Sequence, residues 1–376
     1  MMQNHQQQIR YRIFIIWLIT LLIGILPGCE EKKPVRIGFA GSFLSRFSDM
    51  GTEGRDGVLL ATEQINKSGG IHGCPVEIIV KDDRHDAKVA VQVNKELIAE
   101  GVVAIIGHMT STMSMAVYPL INKEKIVMIS PTTSTDKLTG IDDYFFRTTS
   151  SSKTTSVQLA RYAFRVMGLR KIVGVYDLSN RAYTERYYRN FKTEFESMGG
   201  ELAPATTFIS GNEVSYFKMA QNLSDGDGVF IIAGVVETAM ICQQLRKLNT
   251  EIPILSSGWA QKSDLLHHGG SAVEGVIFSQ SFNEKSTHKN YALFKQQFRK
   301  RFGKKPNVVA AYSYEAAQLL FTALLKTRDD AKLKNAILRQ EIFFGLQGDI
   351  RIDKYGDPQR NASIVTVRKG KFTLIK

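Results

Sequence analysis

The chain has 376 residues, 43% of them hydrophobic, and sets 49 Lys and Arg against 36 Asp and Glu for a formal net charge of +13. A basic balance points first to nucleic acid, but the cations are spread along the whole chain and no basic helix carries interleaved aromatics, which argues against that partner. The three cysteines, without a CxxC pair or a Cys/His cluster, argue against a disulfide scaffold and a zinc site.

The first element in chain order is a leader. Arg10 and Arg12 precede an apolar run from Ile13 to Leu26, shorter than the roughly 20 residues that a membrane-spanning helix needs. Leu26-Pro27-Gly28-Cys29 comes next and resembles a bacterial lipobox, with proline an unusual middle residue. Residues 1–28 are therefore expected to be a signal peptide, and Cys29 to carry lipid. An uncleaved N-terminal anchor is the alternative; both place the body of the protein outside the cytoplasm, held at a membrane. The chain beyond Cys29 exceeds the ~250–300 residues at which single cores stop growing, so two domains are expected.

From Val35 onward, short β-branched runs alternate with stretches at helical spacing, the pattern of βαβ units and a parallel sheet. Strands are predicted at Val35–Ala40, Val76–Val80, Val102–Ile106 and Ile126–Ile129. Helices are predicted at Arg55–Lys67 and at Asp86–Glu100, where Val89, Val93 and Leu97 share one face. A polar stretch, Thr148 to Thr155, interrupts the alternation. It resumes with strands Lys171–Tyr176, Ala205–Ile209, Gly228–Ala233 and Ile252–Ser256, and with helices Val157–Met167, Ala182–Met198, Val214–Leu223 and Glu237–Leu248. A shift near Ser279–Glu284 leads into helices His288–Phe302 and Val308–Thr327, then a strand-like tail, Gly345–Lys376. The expected class is α/β with two doubly wound lobes.

Several segments carry a resemblance: Ile37-Gly38-Phe39, Gly54-Arg55-Asp56-Gly57, Gly69-Gly70-Ile71-His72-Gly73, Asp82-Asp83, Ile106-Gly107-His108, Ser130-Pro131-Thr132, Phe146-Arg147-Thr148-Thr149 and Gly269-Gly270 with Glu274-Gly275-Val276. In order and spacing they are similar to the type I periplasmic binding proteins, in particular the branched-chain amino acid branch. The resemblance implies Rossmann-like lobes joined by a hinge that the chain crosses three times, near Arg147–Ser152, Ser279–Phe282 and Gly345–Gly348. The first lobe would hold 34–148 plus 282–345, the second 149–281 plus 346–376. It also implies a solute-binding component of an ABC importer that meets permease subunits, acts as a monomer, needs no cofactor and catalyses nothing.

Ligands of open parallel sheets sit beyond the carboxyl ends of strands, where free N–H groups at helix starts favour anions. By resemblance, Ser111 and Ser134 match hydroxyls that bind a ligand α-carboxylate, with Thr132 a backbone position beside them; capping is the other reading of such residues. Phe47 and Tyr183 match aromatics that cover the ligand from the two lobes. The sequence departs from the pattern twice: Val235 stands for a second-lobe tyrosine, and the acid that pairs with an ammonium falls at Gly258 or Trp259. Glu237 and Asp264 are candidate substitutes, and Trp259 offers an apolar face. The expected ligand is a small organic carboxylate or amino-acid-like molecule. A sensor acting on a signalling partner is the alternative function; a hydrolase is disfavoured because no nucleophile–base pair can be assembled from motifs. Asp82-Asp83 reads as a structural turn and His267-His268 as loop residues.

Overall fold

The computed structural model describes residues 33–223, 225–248 and 251–375; the leader and Cys29 lie outside them. The first lobe is built from β1 (Val35–Gly41), α1 (Ser48–Lys67), β2 (Val76–Asp82), α2 (Ala87–Ala99), β3 (Ala104–Ile106), α3 (Ser111–Lys123), β4 (Val127–Ser130) and β5 (Phe145–Arg147). Its five strands are all parallel in the order β2-β1-β3-β4-β5. Central strands such as β3 and β4 are buried along their whole length, which is why they read as continuous apolar runs. Asp86 caps α2 by accepting from Lys88 N and Val89 N. The buried face of α2 runs through Ala90, Val93, Asn94 and Leu97, with Val89 at its partly buried margin. Helix α1 begins at Ser48, seven residues before the expected Arg55, because Gly51 and Gly54 read as breakers; Gly57 falls inside the expected helix. These glycines mark close approaches instead: a Cβ at Gly51 would overlap the Ser42 carbonyl oxygen, and one at Gly57, within the helix, the Ala310 carbonyl oxygen.

The second lobe comprises α4 (Ser152–Arg165), β6 (Lys171–Asp177), α5 (Arg181–Ser197), β7 (Glu201–Leu202), β8 (Thr206–Phe208), α6 (Tyr216–Asn222), β9 (Gly228–Ile232), α7 (Val235–Lys247), β10 (Ile254–Ser257), α8 (Ser263–Gly269) and β11 (Ile277–Gln280). The chain then returns to the first lobe through α9 (Lys289–Phe302), α10 (Val308–Leu324) and α11 (Leu333–Leu338). Val309, Ala310 and Leu320 of α10 join Ile37, Phe39 and Val58 in one core. A small antiparallel sheet of β12 (Ile342–Gly345), β13 (Gly348–Ile352) and β14 (Pro358–Gln359) comes after them. Its Phe343, Leu346, Ile350 and Ile352 belong to that same first-lobe core. Only then do β15 (Ser363–Arg368) and β16 (Lys371–Leu374) complete the second sheet, β15 running antiparallel to β11. The last crossing thus falls between Gln359 and Ser363, later than the Gly345–Gly348 that the sequence suggests.

The crossings are laced together. Thr148 donates its hydroxyl to the Tyr312 carbonyl at 2.9 Å, and the Ser150 and Ser281 hydroxyls meet at 2.6 Å. Arg360 donates to the Thr148 carbonyl at 2.7 Å and pairs with the buried Glu315 at 2.5 Å. Cys74 and Cys242 are both free.

Candidate functional site

The parallel strands of the second sheet follow the same order of winding as the first, with β9 and β7/β8 on either side of β6. In both lobes the order reverses beside the first strand, and such a switch point opens a crevice at the carboxyl edge of the sheet. The loops from those edges face each other across two cavities, each of about 140 Å³. That is close to the ~150 Å³ of an engineered cavity that holds benzene.

The main cavity is lined from the first lobe by Met50, Met109, Ser111, Thr132 and Ser134, and from the second by Asn180, Tyr183, Gly258, Trp259, Gln261 and Lys262. Ser150, Phe282 and Tyr312 close it on the hinge side. Ser111, Thr132, Ser134, Tyr183 and Trp259 are therefore brought together. Phe47 is not among them: it lines the second cavity with Arg46, Asp49, Asp177, Val235, Glu237 and Asp264. There its ring stacks on Trp259 at 5.8 Å and lies tilted against His85 at 3.8 Å. Trp259 and Lys262 border both cavities.

Ser111 opens α3, and its Oγ accepts from Ser134 N at 3.3 Å and Thr135 N at 3.2 Å. With those lone pairs engaged, its hydroxyl proton is left for a further acceptor. Thr132 spends its own hydroxyl on the Met109 carbonyl, at 2.5 Å. Thr112 N, in the first turn of α3, donates across the cleft to Asn180 Oδ1 at 3.2 Å. Beneath the site, buried His108 lies between Asp83 (2.7 Å from Nδ1) and Asn94. Its carbonyl accepts from Ser130 Oγ at 2.7 Å, tying the loop after β3 to the loop after β4. Burial opposes ionisation of Asp83, but the His108 hydrogen bond and charge outweigh it and hold the carboxyl below its ordinary range. Asp83 is thus a structural support of the site. Arg147, also buried, donates to the Thr135 carbonyl at 2.9 Å and pairs with Asp357 at 2.5 Å. Burial raises the pKa of the Tyr183 phenol, which stays neutral.

Among the described residues lining the main cavity, Lys262 is the only one with a charged side chain. The acids that could answer an ammonium, Asp49, Glu237 and Asp264, line the second cavity, and Glu237 stands 3.7 Å from Arg46. Gly258, where the resemblance expects an acid, has the Ser279 carbonyl 3.2 Å from any added Cβ. Sequence reasoning missed Asn180, Gln261 and Lys262. The signal available was adjacency, since Gln261 and Lys262 follow Trp259 in the loop after β10 and Asn180 precedes α5. His267 and His268, expected in a loop, lie instead in the last turn of α8.

The lobes are in contact across the cleft. Arg186 forks onto Asp136 with bonds of 2.8 and 2.7 Å, Lys262 reaches Asp49 at 2.5 Å, and His85 Nε2 lies 3.1 Å from the Ser179 carbonyl. Burial penalises the charged Asp136, yet the Arg186 bond holds its pKa below the ordinary value.

Comparison with known proteins gives a consistent picture. Residues 34–371 match a family described as periplasmic binding protein. The chain is 23% identical over 351 residues to the leucine-, isoleucine-, valine-, threonine- and alanine-binding protein of Pseudomonas aeruginosa, covering 92% of this chain and 93% of that protein. A leucine-binding protein from Thermotoga maritima superposes with a TM-score of 0.82 at 24% identity, covering 91% of this chain and 98% of that one. An ABC transporter solute-binding protein from R. palustris in complex with benzoate gives 0.81 at 18% identity, covering 91% of this chain and 95% of that one.

Proposed function

This chain belongs to the periplasmic binding protein family, and from that premise we propose that it is a lipid-anchored solute receptor of an ABC importer whose two lobes close on a small carboxylate. Relatives of this kind bind solutes and are not enzymes, so the work of the site is capture and release. The observation that carries the ligand class is the charge inventory of the main cavity: the opening turn of α3 and the Ser111 and Ser134 hydroxyls on one side, and no carboxylate among its lining residues.

The physics favours an anion. Hydrogen bonds to a charged group contribute about 1.5–3 kcal/mol each. Three or four of them are enough for micromolar affinity, near −8 kcal/mol, once ordering costs are met. An ammonium buried without a counter-charge costs several kcal/mol, which cancels most of that gain. Tyr183 and Trp259, edge to face at 6.0 Å, supply an apolar wall for the body of the ligand. The benzoate complex of the R. palustris protein is a precedent within this fold for a carboxylate that lacks an amine.

Calorimetric titration with leucine, valine, their 2-oxo acids and aromatic acids tests the reading. The acids are expected to bind and the free amino acids to bind at least tenfold more weakly. Tight binding of leucine that is lost on acetylating its amine sinks the reading and returns the site to the amino acids of the Pseudomonas protein's name. The anchor is tested by fractionation: Cys29→Ala is expected to release the protein from membranes or leave it unprocessed, and wild-type protein found free with another N-terminus rules the anchor out.

A further inference from the structure

The cavity that the carboxylate reading leaves with one anion site is also bordered by a buried lysine that the reading does not use, Lys262, which stands between this cavity and the one lined by its partner Asp49. Resting on that reading, we propose that the ligand is a short dicarboxylate, gripped by the start of α3 at one end and by Lys262 at the other.

Lys262 follows β10 in the second lobe and is 8% exposed. Its ammonium has three donors, and among the described residues its one acceptor is Asp49 Oδ2, across the cleft at 2.5 Å. Two N–H donors of a buried charge are therefore left without a described partner. Asp49 is a poor permanent partner, because 46% of its side chain is exposed; water competes for it at little cost. A buried charge is expensive unless paired and hydrogen-bonded, so a second ligand carboxylate beside Lys262 takes up the two donors that Asp49 leaves. The lobes contribute asymmetrically: the first offers hydroxyls and a helix start, the second a cation three residues beyond Trp259, in the same loop where the resemblance expects an acid. A ligand with an anion at each end answers both, and its binding adds a second link between the lobes beside the Lys262–Asp49 pair. The cavity of about 140 Å³ limits the chain between the carboxylates to a few carbons.

The test titrates matched acids of equal carbon number, succinate against butanoate and glutarate against pentanoate, into the mature protein. Wild type is expected to bind each dicarboxylate about tenfold or more tightly than its partner, the effect of one hydrogen-bonded charge. In Lys262→Met, with folding checked by its melting curve, that ratio is expected to collapse toward one, while Lys262→Arg keeps a preference. Asp49→Asn, which frees the ammonium, is expected to strengthen dicarboxylate binding and gives a second reading if Lys262→Met folds poorly. Equal binding of glutarate and pentanoate by wild type overturns the dicarboxylate and leaves the carboxylate reading standing, as does a preference that survives in folded Lys262→Met or an Asp49→Asn variant with no gain. Leucine binding with no acid bound overturns both.

Discussion

Ser111 holds two neighbours and lines the main cavity, so its replacement is expected to have two separable effects. Its Oγ accepts from Ser134 N and Thr135 N, and its proton is left for a further acceptor. Ser111→Ala is expected to weaken carboxylate binding by about 1.5–3 kcal/mol and to cost about 1 kcal/mol of stability, because N–H groups at the loop lose their acceptor. Titration and denaturant unfolding measure the two; unchanged affinity per folded molecule would mean that the hydroxyl serves the loop alone. His85 sets a pH dependence. Burial lowers its pKa from the ordinary 6.5, outweighing the Ser179 carbonyl, Asp83 and Asp177, which raise it. The closed form therefore takes up this proton less readily than a form in which the ring is solvated. Closure is fully supported above pH 6.5 and weakens as pH falls through the window below it. Affinity is expected to fall between pH 7.5 and 5.5 and to flatten in His85→Gln; an identical slope in that variant would remove His85 from the account. That Ser111, Thr132, Ser134, Tyr183 and Trp259 line one cavity could be anticipated because the resemblance points to each of them. Lys262 and Asn180 were not, since their partners Asp49 and Thr112 are 213 and 68 residues away and meet them only across the cleft.

Elements show the same division. Strands β3, β4, β9 and β10 were legible because parallel strands buried on both faces leave unbroken apolar runs, and the start of α2 because Asp86 is a side-chain cap; β5, β7 and β11 were not anticipated. The start of α1 was not. Glycine in a helix interior reads as a break, and nothing local says that α10 passes there closely enough to require it. Gly57→Ala is expected to destabilise by more than the ~0.5–1 kcal/mol that alanine ordinarily gains over glycine inside a helix, and with opposite sign, since the new Cβ overlaps the Ala310 carbonyl oxygen. A melting temperature equal to or above wild type would show that α1 and α10 separate without penalty. The late crossing before β15 was hidden for a related reason: β12 to β16 all read as strand, and only packing decides which core each joins.

For the whole molecule, the Arg186–Asp136, Lys262–Asp49 and Arg46–Glu237 pairs join loops and helices of opposite lobes, while three laced crossings supply the pivot. Closure requires a ligand that binds the joined form better than the open one. Small-angle scattering is expected to show a smaller radius of gyration on saturation with a bound acid, and no change would count against hinge motion. The two-lobed α/β plan was legible from alternation alone; the relation between lobes was not, because it rests on contacts distant in sequence. One such contact bears on how the protein is made. Gln64 of α1 bonds the Tyr314 hydroxyl of α10 at 2.6 Å over 250 residues, and β11 waits in the same way for β15. On the ribosome, neither half can be completed until almost the last of the chain has emerged. Loops of this length close slowly, so the nascent protein carries bare apolar faces for most of its synthesis. Such a chain stays unfolded and in need of chaperones, and an unfolded chain is the form in which a polypeptide can be threaded through a membrane.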